Sequence, residues 1–211
     1  HDMERRQRLD VLKCSLEKLC NLRDLHTDSN ITSISVLSSQ FASPYIVRRL
    51  NMLCLFSRVP KWIRELHNLF DLDLTVEVLE DDIGFLAHLH TVNHLKLHIE
   101  GTPESEEKVV ISGMGFPSLK HFRLSCIRIS QLTFEAGAMP SLEKLEVRLN
   151  FLYGGAPMGI EYLLGLKEIL VIVGGYGAEG STTRAAGAAL REAIDMRSSR
   201  PTADITCVDN S

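Results

Sequence analysis

Nowhere does this sequence approach the roughly 20 consecutive apolar residues that a membrane-spanning helix requires. It has no C-x-x-C pair, and its five cysteines (Cys14, Cys20, Cys54, Cys126 and Cys207) are odd in number and scattered. That pattern excludes a disulfide framework and reads as reduced, buried thiols of an intracellular protein. Charge of neither sign dominates: the formal net charge is −4 and the isoelectric point about 6.1, so nothing draws the whole molecule to nucleic acid or anionic membrane. A G-x-S-x-G elbow is missing, as is any Cys–His–acid arrangement with credible spacing, and no catalytic residue is assigned. The polar start carries no signal-peptide pattern, so the sequon Asn30-Ile31-Thr32 is read as unused.

What the chain does have is leucine at a peculiar spacing. Ile63, Leu66, Leu69 and Leu72 fall every third position, and the last step shortens to reach Leu74. Ile83, Leu86, Leu89, Val92, Leu95 and Leu97 repeat the device. Triplets ending in L-x-L match neither the mixed three-and-four spacing of a helix nor the alternation of a strand. They match the leucine-rich repeat, in which each repeat supplies one short strand. Aligned L-x-L pairs occur at Leu25/Thr27, Leu53/Leu55, Leu72/Leu74, Leu95/Leu97, Phe122/Leu124, Leu145/Val147 and Ile169/Val171. Their intervals are 28, 19, 23, 27, 23 and 24 residues, and only the second falls below the usual period of about 20–29.

The expected fold is therefore an α/β solenoid, a horseshoe with a parallel sheet on its concave face, because a single repeat cannot bury its leucines without neighbours. Residues 1–8 form a disordered lead-in, residues 9–173 carry about seven repeats, and residues 174–211 form a helix-and-strand cap. The cap helix is placed from Ser181 or Thr182 to about Met196, with Ala185, Ala186, Ala189, Leu190 and Ile194 on its apolar side, and a last strand over Ile205 to Val208. Phe116-Pro117-Ser118-Leu119 and Met139-Pro140-Ser141-Leu142 fix the turns feeding two strands. Glu100 to Gly113, rich in glutamate, is read as a solvated loop.

Three groups of residues invite a chemical reading. Gly175-x-Gly177-x-x-Gly180 has dinucleotide-binding spacing after an apolar run, but too little chain follows for a doubly wound sheet, and Ser181 stands where a Walker lysine belongs. A glycine-rich turn into the cap is preferred, and no cofactor is assigned. His94 and His121 occupy equivalent places on neighbouring strands, but no third ligand joins them, so no metal is assigned. The outward face of the sheet is the third group. It collects Asp71 and Asp73, then His94, Lys96 and His98, then His121 and Arg123, then Lys144 and Arg148, with Met52, Cys54 and Phe56 as an apolar end. A basic stripe beside an acidic edge suits a protein partner.

Val59-Pro60-Lys61-Trp62-Ile63 leading into its leucine ladder, the two Pro-Ser-Leu turns and the closing helix before Arg200-Pro201-Thr202 together resemble the leucine-rich domain of grass coiled-coil NLR disease resistance proteins. The resemblance implies a non-enzymatic module in cytoplasm or nucleus that senses pathogen effectors or guarded host proteins, or restrains an attached nucleotide-binding domain. No coiled coil or nucleotide-binding module is present in these residues, which fits a fragment or truncated receptor. Two other readings stay open: a nucleotide-binding enzyme fragment using the Gly175–Gly180 loop, and a repeat scaffold or ligase adaptor unrelated to immunity.

Overall fold

The computed structural model describes residues 23–27, 47–79, 82–101, 107–152, 156–174, 180–197 and 200–208. Within them lie strands β1 (Asp24–Thr27), β2 (Arg49–Phe56), β3 (Asp71–Val76), β4 (His94–Ile99), β5 (Glu107–Ile111), β6 (His121–Phe134), β7 (Lys144–Leu152), β8 (Glu168–Val173) and β9 (Thr202–Cys207). Helix α1 (Asp82–Ala87) lies between β3 and β4, and α2 (Gly180–Asp195) lies between β8 and β9. All pairings are parallel, in the order β1-β2-β3-β4-β6-β7-β8-β9, with β5 beside the far half of β6.

The triplet spacing has a direct cause. Ile63 N–H donates to Pro60, Leu66 to Ile63 and Leu69 to Leu66, so successive apolar residues are joined by three-residue hydrogen-bonded turns of 3₁₀ type. The same links join Leu89 to Leu86, Val92 to Leu89, Leu119 to Phe116, Leu142 to Met139, and Leu166 to Leu163. A helix of period three keeps one side chain per turn on the same face, and that face is buried: Ile63, Leu66 and Leu69 are at most 2% exposed. The following strand has period two, which is why the ladder shortens to L-x-L.

Strand register then stacks the leucines. Leu25, Leu50, Leu72, Leu95, Phe122, Leu145, Ile169 and Ala203 are partners along one line. Met52, Leu74, Leu97, Leu124, Val147 and Val171 form the next line, each at most 3% exposed. Burying each such side chain is worth on the order of 1.5–3 kcal/mol. A second tie comes from the main chain. The carbonyl just ahead of each strand accepts two N–H groups from the next repeat: Arg23 from Arg48 and Arg49, Arg48 from Phe70 and Asp71, Phe70 from Asn93 and His94. Asn93, Lys120 and Glu143 continue the series.

Five expectations are corrected. Leu53/Leu55 is not the β2 repeat pair; Leu50 and Met52 are, which turns the intervals of 28 and 19 into 25 and 22. Leu50-x-x-Leu53-x-Leu55 matches the motif literally, but its strand pair sits three positions from the true one, and an odd shift exchanges the two faces of a strand. Consequently Met52, Cys54 and Phe56 are core residues, whereas Leu53 and Leu55 are 42% and 37% exposed. The register between β2 and β3 also shifts between Met52 and Leu55.

The expected loop over Glu100 to Gly113 contains β5, whose Val109 and Ile111 are buried; the β-branched run Val109-Val110-Ile111 prevails over the glutamates before it. Strand β6 is accordingly far longer than a single repeat strand, pairing β4 with its first half and β5 with its second. On α2 the buried residues are Thr183, Ala186, Gly187, Leu190 and Ile194, while Ala185 and Ala189 face solvent. The last strand begins three residues earlier than expected, at Thr202.

Arg197, just past α2, is 8% exposed and its guanidinium donates to the carbonyls of Ile160 and, at 2.6 Å, Leu163. It thereby joins the end of α2 to the 3₁₀ helix Ile160–Tyr162 that leads toward β8. Gly159, at φ 79°, precedes that helix, and a Cβ there would meet the Phe134 carbonyl oxygen at 1.8 Å. Asn30 and its sequon, Cys14, Cys20, Gly175 and Gly177 lie outside the described residues.

Candidate functional site

Alternation along each strand sends one set of side chains into the core and the other to the opposite face. On that opposite face lies an open hollow of about 430 Å³ running from β2 to β7, lined by side chains that include Asp71, Asp73, His94, Lys96, His121, Arg123 and Lys144. Asp71, His94, His121 and Lys144 share one register line; Asp73, Lys96 and Arg123 share the next; His98 and Arg148 lie on a third. Side chains of this face that escaped the sequence reading include Arg49, Glu146 and Glu168. Each falls one residue before or after a leucine-line position, and that parity is the signal that identifies them.

Those three change the electrostatics. Arg49 lies 3.2 Å from Asp71 and 3.9 Å from Asp24. Asp71 also accepts a hydrogen bond from His94 Nδ1. Lys96 is 3.7 Å from Asp73, and Arg123 is 3.7 Å from Glu146. Lys144 donates to Glu168 at 3.0 Å and lies 3.2 Å from Glu146, and these two carboxylates hold its ammonium above the usual lysine range. The expected basic stripe is thus flanked by carboxylates that pair with it, Asp73 on one side and Glu146 on the other. Exposed pairs of this kind add little stability, but they orient their side chains across the strands. Arg148 has no ion pair with a described residue.

The two histidines stack. Ring centroids of His94 and His121 are 4.6 Å apart with planes 18° from parallel, and Phe70 meets His94 edge-on at 5.2 Å. Partial burial, then the charges of His94 and Lys144, lower the pKa of His121. Among the described residues no group of three or more His, Cys, Asp or Glu is placed to hold a metal. At the β2 end of this face, Leu53 and Leu55 supply the apolar element expected from Met52, Cys54 and Phe56.

A family model described as leucine-rich repeat region matches residues 1–203. Among curated proteins, disease resistance protein RGA5 of Oryza sativa subsp. japonica is 32% identical over 200 residues, covering 89% of this chain and 18% of its own length. Disease resistance protein Pik-2 of the same rice is 29% identical over 193 residues, 81% of this chain and 19% of its own. A putative disease resistance RPP13-like protein 2 of Arabidopsis thaliana is 29% identical over 134 residues, 63% of this chain and 15% of its own. The chain spans about a fifth or less of the length of these relatives. No solved structure matches it. No helix among the described residues is long and apolar enough to cross a membrane.

Proposed function

Since the chain belongs to the leucine-rich repeat region family, and the rice disease resistance proteins carry a similar region, we propose that it is the recognition module of an intracellular plant immune receptor, binding a protein across the outward sheet face. The observation that carries this reading is the hollow from β2 to β7, where ion-paired side chains stand in rows beside exposed Leu53 and Leu55. An apolar patch rimmed by oriented, mutually neutralised charges suits a folded protein surface better than it suits nucleic acid, which needs unbalanced cations. The partner is a pathogen effector, a guarded host protein or the receptor's own nucleotide-binding domain, and the module itself performs no catalysis. In this scheme residues 9–173 provide the repeats, residues 174–211 close the stack, and the working compartment is the cytoplasm.

Lys96, Arg123 and Arg148 are the contacts assigned to the cationic positions, and Asp71 and Asp73 set the acidic side. The test is affinity capture from infected and uninfected plant tissue with the unaltered chain and a Lys96→Glu/Arg123→Glu variant, each read by mass spectrometry. A partner retained by the former and reduced at least about tenfold by the latter supports the assignment, since reversal replaces two ion pairs by like charges facing Asp73 and Glu146. A partner held equally by both, with both chains folded by circular dichroism, refutes it.

A further inference from the structure

A second hollow, of about 590 Å³, opens along the edge where the strands begin, and it is chemically unlike the first. Its lining comes from the residues just ahead of β1 to β4, Arg23, Arg48, Phe70 and Asn93, with His90, Thr91, Asn68 and Ser118. Among the described lining residues there is no aspartate or glutamate. This contrasts with the far end of the same edge. There the equivalent positions are Lys120, Glu143 and Lys167, and Glu143 is 4.0 Å from Lys120 and 2.8 Å from Lys167. The hydrogen bond from Lys167 draws the pKa of Glu143 down. One end of the edge is thus neutralised, whereas the other has no carboxylate among its described lining residues.

Arg23 and Arg48 stand on consecutive rungs. The carbonyl of Arg23 accepts both the Arg48 and the Arg49 N–H, which fixes the two backbones side by side at a strand spacing of about 4.8 Å. Their side chains are exposed, and neither forms an ion pair with a described residue. Two like charges on neighbouring rungs repel, and an anion with more than one charge placed between them removes that repulsion. Guanidinium groups present paired N–H donors that match phosphate oxygens. Thr91, Ser118 and Asn93 add hydroxyl and amide donors along the same wall, and the half-buried ring of Phe70 supplies an apolar floor between Arg48 and Asn93. The volume lies within the range of small-molecule sites.

We propose that this edge hollow binds a small polyphosphorylated anion, bridged by Arg23 and Arg48. The site is separate from the outward sheet face and does not rest on the function proposed there. Pyrophosphate is the probe, titrated calorimetrically into the 211-residue chain at low ionic strength. Saturable binding of about one equivalent is expected, weakened about tenfold by Arg48→Gln, abolished by Arg23→Gln/Arg48→Gln, and unchanged by Lys167→Gln at the neutralised end. Pyrophosphate is also expected to protect both arginines of the unaltered chain from phenylglyoxal, a readout that requires no variant to fold. Absence of saturable binding, equal affinity in the double variant, equal loss in Lys167→Gln, or undiminished modification of the two arginines each overturns the proposal.

Discussion

The register of β2 makes the sharpest test, because two readings of the same eight residues assign opposite faces to their side chains. In the structure Leu50 is 1% exposed and partners Leu25 and Leu72 within the leucine line, whereas Leu53 is 42% exposed. Leu50→Ala removes a fully buried side chain, so it should cost about 2–5 kcal/mol in transfer energy and residual cavity. Leu53→Ala gives up only the covered part of a leucine, about 1 kcal/mol or less. The literal L-x-x-L-x-L reading demands the reverse at Leu53, since there it would be a spine residue. Urea unfolding measures both differences, and the sole tryptophan, Trp62, reports locally: it is 7% exposed and sits shortly after β2 in the 3₁₀ helix Lys61–Glu65. An unchanged denaturant slope would show that stability, not the extent of unfolding, has moved. A Leu53→Ala penalty as large as that of Leu50→Ala would refute the register, and with it the placing of Leu53 and Leu55 on the outward face.

Two further outcomes follow from side chains already placed. Arg197→Met should destabilise by about 1–3 kcal/mol in thermal or urea unfolding, because the carbonyls of Ile160 and Leu163 lose charged donors in a buried setting; a change near zero would remove Arg197 as a tie between α2 and the last repeat. His121 titrates below the ordinary histidine value of 6.5 in the folded chain, so the unfolded state takes up its proton first as pH falls. Its contribution to stability is therefore fully present above about pH 6.5 and is lost as pH drops toward the lower folded value. His121→Gln should flatten the pH dependence of unfolding just below pH 6.5, and an unaltered slope would argue against that partial burial.

Much of the architecture was legible because the leucine ladder records two periods in one line, three for the 3₁₀ turns and two for the strands. Leu72, Leu95, Phe122, Leu145 and Ile169 were placed correctly on that basis. Strand β2 was misread because Arg49-Leu50-Asn51-Met52-Leu53-Cys54-Leu55-Phe56 offers apolar side chains on both faces toward its end, so local pattern alone selects the wrong one. The polar Arg49 and Asn51 settle the choice: only one face can accept them. Strand β5 was missed because composition over Glu100 to Gly113 averages a charged approach with a short buried run. In the candidate site the residues facing outward were legible from parity, but their electrostatics were not. Pairing across strands is a property of register, and it turns single cations at Lys96, Arg123 and Lys144 into members of ion-paired rows.

The doubly accepting carbonyls along the strand-entry edge hold neighbouring coils together through the main chain alone. At Arg23, Arg48, Phe70, Asn93, Lys120 and Glu143 the side chain is consequently not required for that linkage. Those positions behave like pegs on a fixed rail: guanidinium, phenyl, amide, ammonium or carboxylate can hang there in any sequence while the rail keeps its spacing. A repeat protein built this way can change the chemical message of its rim by point substitution and leave its spine untouched.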